Sequence, residues 1–353
     1  MKSEWSWKER FDALGGIIII PTYNNAQTLE SVVFETQKYC NHVLVVNDGS
    51  TDQTYEIISR IPDIQIISYT KNKGKGRALQ LGLSYAKEKG FRYAITIDSD
   101  GQHFPMDIPR FIESIEKKSD RLLVGARNIE QENMPKQNTF ANKFSNFWFR
   151  LETGINLTDT QSGFRLYPVQ QMSVSGFGFT TKYEYELEIL VYAAWGGVNI
   201  ENIPIQVFYA PKEERVSHFR PIRDFTRISI LNSILVVITF LWILPRDFFR
   251  KLTWTNIKSF FDKHLMKTQD SNSKIVKSVM LGVFFGIIPV WGYQMILAVI
   301  TAQCLHLNKV ITLIASNISI PPFIPFILYF SYLLGGWTLR KPITLSFEEI
   351  NFE

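Results

Sequence analysis

Cysteine is nearly absent: only Cys40 and Cys304 occur in 353 residues, and they lie in different regions of the chain. No cysteine pattern suits a metal, and no structural disulfide is expected. No apolar leader is expected either. The first eight residues are polar and no apolar core follows at the expected distance, so the first half is expected to stay in the cytosol. Sustained repeats and low-complexity tracts are also missing. The net charge of +5 is modest, and the basic residues concentrate beside apolar segments. That placement suits anionic headgroups better than nucleic acid, so no nucleic-acid partner is expected. Charge is scarce in two places, residues 228–245 and 277–338, whereas 1–225 has the ordinary polarity of a soluble α/β domain. Three regions are therefore expected: a domain over 1–225, a membrane-embedded helix and amphipathic linker over 226–273, and a membrane helical hairpin over 274–353.

What is present in the first region is a rhythm of strands and helices. The run Gly15–Ile20 reads as a buried strand closed by Pro21, and His42–Asn47 as a second closed by Asp48–Asp52. Strands at Ile64–Tyr69 and Tyr93–Ile97 follow, with helices over Thr28–Tyr39 and Gly74–Glu88. Further strands are expected at Leu122–Gly125 and Asn199–Ala210, and helices near 138–152 and 184–195. Alternation of this kind predicts an α/β fold with a parallel sheet and helices on both faces.

The most informative segment is Ile95–Pro105, where an apolar run ends in Asp98 and Asp100. Residues two apart on extended backbone point to one side, so both carboxylates can face a site beyond the strand end. Hard oxygen ligands suit Mg²⁺ or Mn²⁺, with substrate phosphates and water completing the shell. Other strand-end turns carry chemistry too. Pro21-Thr22-Tyr23-Asn24 follows the first strand, and Asp48 follows the second, where it can accept hydrogen bonds from a base or ribose. Asn72-Lys73-Gly74-Lys75-Gly76 offers cations, glycines and a helix N-terminus for a diphosphate. Together they describe a site for a nucleoside diphosphate with a divalent cation.

The ordered set Pro21–Asn24, Val46–Asp52, Asn72–Gly76, Asp98–His103, Gly125–Arg127 and Gln161–Arg165 closely resembles family 2 glycosyltransferases, and within them the dolichyl- or polyprenyl-phosphate sugar synthases. The resemblance covers roughly residues 14–225. It implies a GT-A fold, a nucleotide-sugar donor, a divalent metal and inversion at the anomeric carbon. By the same resemblance, Pro21, Tyr23, Asn24, Asp48, Lys75 and Asp98 contact the donor. Asp98, Asp100 and Gln102 form the metal site, and Asp100, Arg127, Arg165 and Glu188 are assigned to catalysis. His103 is assigned a structural role. Arg215, Ser217 and Arg220 fall where the family has a basic loop that closes on phosphates.

The favoured acceptor is a polyprenyl phosphate, whose oxygen needs no strong base. A hydroxyl acceptor would need one, and Glu186 or Glu188 is the candidate. A non-catalytic membrane scaffold is the third alternative, and self-association is left open. The expected location is the inner (cytoplasmic) membrane, with the catalytic domain on the cytosolic side.

Of the apolar regions, Ile228–Leu244 is 17 uncharged residues, at the short limit for a span, and Pro245–Lys267 has the pattern of an interfacial helix. Val279–Leu307 and Val310–Leu339 are expected to form a spanning antiparallel hairpin, with Asn308-Lys309 facing outward and Ile228–Leu244 embedded without crossing. Prolines 289, 321, 322 and 325 allow re-entrant segments instead. From about Lys274 to Leu339 the chain resembles a small bacterial membrane domain of unassigned role, which brings no function with it.

Overall fold

The computed structural model describes residues 5–127, 136–175, 180–208, 221–251, 253, 255, 270–288, 293–317 and 324–339. The chain divides into two compact units, Met1–Arg246 and Asp247–Glu353.

In the first unit, strands β1 (Gly16–Thr22), β2 (Val43–Asn47), β3 (Ile64–Ser68) and β4 (Tyr93–Thr96) are parallel neighbours. Strands β5 (Arg121–Arg127), β6 (Arg165–Tyr167) and β7 (Asn199–Ile205) complete one seven-stranded sheet in the order β3-β2-β1-β4-β6-β5-β7. The sheet is mixed, not wholly parallel, because β6 runs antiparallel between β4 and β5. Three residues are too few to show a period of two in the sequence, which is why this strand was not expected. Both faces of β1 are buried, as its unbroken Ile17–Ile20 run requires. One apolar layer lies on each face of the sheet.

Pro21 does not close β1; it pairs with Val46 inside the strand. Ile18 donates toward β2, so by alternation the N–H that Pro21 lacks would face β4, past the last pair Ile19–Thr96. No ladder bond is lost there.

Helices α1 (Trp7–Ala13), α2 (Leu29–Gln37), α3 (Thr54–Ile58), α4 (Lys75–Glu88), α5 (Ile108–Lys117), α6 (Lys136–Thr153) and α7 (Glu184–Trp195) fill the connections. Two glycines are forced at the start of α4. Gly74 has φ +102, and a Cβ there would lie 2.5 Å from Thr181 O; at Gly76 it would lie 2.4 Å from Lys182 O.

Helix α8 (Pro221–Ile238) continues through a π segment, Thr239–Ile243, into α9 (Leu244–Lys251). The wider turn precedes Pro245, a proline that cannot join a regular i→i−4 ladder, so the helix passes it without ending. Over Asp224–Arg250 this helix is 27 residues long, enough in length and composition to cross a membrane. Leu231 and Leu235 pack into the core, Thr239 donates to Glu152 O at 3.3 Å, and Arg246 donates to Trp195 O at 3.0 Å. Most of the interfacial helix expected over Pro245–Lys267 lies outside the described residues.

The second unit has four described helices: α10 (Asn272–Ile287), α11 (Gln294–Cys304), α12 (Lys309–Ser316) and α13 (Ile324–Leu339). The two long apolar stretches of the sequence are therefore each interrupted. Ile288 turns extended before Pro289, as a residue preceding proline must. Helix α12 ends at Ser316, with Asn317 as its cap. Helices α10 and α12 meet through small side chains: a Cβ on Gly282 would lie 2.4 Å from Thr312 O, and Ser278 and Ser316 are fully buried.

Candidate active site

The carboxyl ends of β1, β2 and β4 open into a cavity of about 720 Å³. Pro21, Tyr23, Asp48, Lys75, Asp98, Asp100, Gln102 and Arg127 all line it. Asp98 and Asp100 sit not on β4 but in the turn just past it. Thr96 Oγ1 donates to Gly163 O at 2.7 Å, Thr28 Oγ1 to Ser99 O at 2.7 Å, and Phe208 N to Gln102 O at 2.9 Å. Gly101, at φ +71, makes that turn.

The charges are arranged around one cation. Lys75 Nζ lies 2.8 Å from Asp98 Oδ1 and 3.3 Å from Glu186 Oε1. Burial would lower the Lys75 pKa, but Asp98 and Glu186 together raise it, so the ammonium stays protonated. Burial opposes ionisation of Asp98, yet Lys75 holds its carboxyl below the ordinary value. Asp100 behaves differently: burial, then the charge of Asp98, pushes it up to about 6. His103 is buried against Phe164, with burial lowering its pKa to about 4, so the ring is neutral.

Asp48 is committed to its own loop. Its carboxylate accepts from Lys73 N at 2.7 Å, Gly74 N at 2.8 Å and Asn72 Nδ2 at 3.0 Å. The amides of Lys73 and Gly74, expected to cradle a diphosphate, are thus bonded within the chain. Asn24 is not among the lining residues. Its Oδ1 accepts from Thr51 N at 2.8 Å, which fixes the turn after β2.

Arg127, at the end of β5, is gripped by Asp159: Nε donates at 2.6 Å and Nη2 at 3.0 Å to the two carboxylate oxygens. Burial would raise the carboxyl of Asp159, but hydrogen bonds and charge from Arg127 hold it low. Arg165 does not line the cavity. It is fully buried and donates to Ser162 O, Thr160 O and Glu186 O at 2.6, 2.8 and 2.5 Å, tying the Thr160–Gly163 segment to α7. Glu188 is also fully buried away from the lining residues and bonds Tyr192 one turn on. Glu184 pairs with Arg227 of α8 at 2.5 Å. Of the three glutamates, only Glu186 lines the cavity. Arg215, Ser217 and Arg220 lie outside the described residues.

Sequence reasoning did not single out Asp159, Tyr183 or Asp224, the last of which lines the cavity from α8. Asp159 stands two residues before the Gln161–Arg165 segment, and that adjacency was its only signal.

Residues 17–171 match the family described as glycosyl transferase family 2, and residues 258–352 match a family described as an uncharacterized protein conserved in bacteria. Over 213 residues the chain is 32% identical to the UDP-N-acetylglucosamine–dolichyl-phosphate N-acetylglucosaminyltransferase of Methanococcus voltae, covering 54% of this chain and 85% of that protein. The chain belongs to glycosyltransferase family 2. Its first unit is the α/β GT-A domain of that family. It is also 26% identical over 202 residues to the polyprenol monophosphomannose synthase of Mycolicibacterium smegmatis, covering 54% of this chain and 76% of that protein. Among solved structures, glucosyl-3-phosphoglycerate synthase from Mycobacterium tuberculosis with UDP superposes at a TM-score of 0.48 and 17% identity, over 68% of this chain and 86% of that one.

Proposed function

We propose that this family 2 glycosyltransferase moves a sugar, with inversion, from a nucleotide-sugar donor to polyprenyl phosphate. The reaction uses Mg²⁺ or Mn²⁺ at the cytosolic face of the inner membrane. One observation carries the reading: Asp98, Asp100 and Gln102 face the same cavity as the Lys75 ammonium and the Arg127 guanidinium. The names of the two relatives, one acting on dolichyl phosphate and one making a polyprenol monophosphomannose, support the acceptor class.

The residues fit a hard divalent ion. Two carboxylates and an amide supply oxygen donors, and burial, then the charge of Asp98, raises the pKa of Asp100, so a hard cation facing both carboxylates would be favoured there. Among the described residues no third acidic, histidine or cysteine side chain joins them. Asp100 and Gln102 would be the principal holders of such an ion, because Lys75 already occupies one oxygen of Asp98. Bound there, the ion would supply positive charge against the negative charge developing on the departing nucleoside diphosphate.

The chain's own residues do the rest. Lys75 and Arg127 are fixed cations, held by Asp98 and Asp159, that draw two anionic substrates together. A phosphate oxygen of the acceptor attacks the anomeric carbon from the side opposite the leaving group. The old C–O bond breaks with its electron pair passing to the nucleoside diphosphate. The acceptor oxygen is already ionised, so no side chain need remove a proton. Glu186 is engaged by Lys75 and Glu188 lies away from the cavity, which favours this acceptor over a hydroxyl.

The test incubates the full chain in membranes with polyprenyl phosphate and a panel of nucleotide sugars, with Mn²⁺ or with chelator. Mass spectrometry then reads the lipid product. A metal-dependent sugar ester on the lipid phosphate is expected. Sugar found only on a glycolipid hydroxyl would refute the acceptor, and no turnover or donor hydrolysis with any sugar would favour a scaffold.

A further inference from the structure

The second unit carries no assigned role, and its helices have an unusual relation to one another. Asn308, in the turn between α11 and α12, donates from its backbone N–H to Ser278 Oγ at 2.9 Å and from Nδ2 to Asp270 Oδ2 at 2.7 Å. Asp270 also pairs with Lys274 at 2.7 Å. The α11–α12 turn therefore sits at the N-terminal end of α10. The chain runs away from that end along α10, returns along α11, and turns back along α12. His306, at φ +53, allows the tight reversal, and Leu307 N bonds back to Ala302 O.

Length decides what this arrangement does. At 1.5 Å per residue, α10 is about 24 Å long, α11 about 17 Å and α12 about 12 Å. A hydrocarbon core is about 30 Å thick, and its single leaflet about half that. None of the three reaches the full thickness. Yet their outward surfaces are apolar. Val276, Met280 and Phe284 on α10 and Ile296 and Ile300 on α11 are each more than half exposed, while the small residues Ser278, Gly282 and Ala298 face inward. Lys274, Lys277 and Lys309 gather at the end that holds the Asp270–Asn308 bonds, where anionic headgroups complement them.

We infer that the second unit is a re-entrant lipid anchor: α10, α11 and α12 enter the bilayer from one face, turn within it, and leave Asp270–Lys277 and Asn308–Lys309 on the same side. On this reading the expected spanning hairpin, with Asn308-Lys309 on the opposite side, does not form. The occupant of the exposed apolar surface is lipid acyl chain, because apolar side chains lie on both α10 and α11 and charge is confined to one end. This reading stands independently of sugar transfer.

The test uses the full chain with Cys304→Ser; Cys40 is fully buried, with burial pushing its thiol up to about 12, and does not compete for label. Lys277→Cys and Lys309→Cys are treated with an impermeant maleimide in sealed membrane vesicles of each orientation. Tyr293→Cys, at the far end of α10 and α11, carries a nitroxide read by collision with oxygen and with a water-soluble nickel chelate. The expected result is labelling of positions 277 and 309 from the same side, with the nitroxide reached by oxygen and shielded from nickel. Labelling from opposite sides, or a nickel-accessible nitroxide, would mean a crossing hairpin. A nitroxide shielded from both would mean that protein, not lipid, covers this surface; either outcome overturns the proposal. If Lys309→Cys fails to accumulate, His306→Cys in the same turn gives the same reading.

Discussion

Lys75 Nζ lies 2.8 Å from Asp98 Oδ1, and the same ammonium reaches Glu186 Oε1 at 3.3 Å. One cation from the start of α4 thus joins the turn after β4 to the first turn of α7. Removing it leaves two carboxylates facing each other's charge in a half-buried cavity. Lys75→Met is expected to lower turnover at least about 100-fold and to destabilise the fold by up to about 3 kcal/mol, because breaking one side of a buried pair strands the other. Adding Glu186→Gln should recover part of the stability and none of the turnover. Thermal unfolding and donor-consumption assays on the single and double variants check this; near wild-type turnover in Lys75→Met would remove the lysine from the reaction.

Gly163 bears on the same group from behind. A Cβ there would lie 2.6 Å from Asp98 Oδ2 and 2.9 Å from Lys75 Nζ, while its backbone needs no left-handed conformation. Gly163→Ala is therefore predicted to spare the fold and displace the carboxylate. Turnover should fall about tenfold or more, with a change in stability under about 1 kcal/mol. An alanine variant with unchanged turnover would show that Asp98 has room to move without consequence.

The strand-end carboxylates were legible in the sequence because local patterning places them: an apolar run followed by acids at i and i+2 needs no tertiary information. The turns containing Asp48 and Lys75 were legible for the same reason, whereas Arg127, at the end of β5, came only from the family resemblance. Arg165 and Glu188 were not, since whether a side chain faces the cavity or the core depends on how β6 and α7 pack. Arg165 points inward to three carbonyls, and α7 is buried nearly all round, so its sequence pattern names no single outward glutamate. The course of the C-terminal helices was hidden differently. Hydropathy marks Val279–Leu307 as one apolar stretch, whereas the bond from Asn308 to Asp270 that sets its direction joins residues 38 apart.

The position of the Asp100 carboxyl predicts how metal binding should follow pH. With its pKa raised to about 6 by burial and Asp98, a proton competes with the ion below that value. Apparent Mn²⁺ affinity is expected to be nearly flat above pH 7 and to fall about tenfold per unit below 6, the slope of a single proton. Asp100→Asn should abolish that dependence along with most of the affinity. Manganese titration followed by electron paramagnetic resonance at several pH values reads both; an affinity that stays constant down to pH 5 would take Asp100 out of the metal site.

Glu152 yields a prediction about stability instead of turnover. It lies on α6 and is 2% exposed, and among the described residues neither carboxylate oxygen has a hydrogen-bond partner. Its backbone oxygen receives Trp195 Nε1 at 3.0 Å and Thr239 Oγ1 at 3.3 Å, so it sits where α6 meets α7 and the long apolar helix. Burial alone pushes its pKa from 4.5 up to about 8. In the unfolded chain this carboxyl loses its proton near the ordinary value; in the folded chain it keeps it to higher pH. Between those limits the folded state binds more protons, so stability falls as pH rises, by up to roughly 1.4 kcal/mol per unit from this group. Glu152→Gln keeps the shape and removes the ionisation. The variant is expected to match the parent near pH 5 and to unfold at a higher temperature than the parent at pH 8. Parallel melting curves for the two proteins across that range would overturn the assignment of an uncharged, buried Glu152.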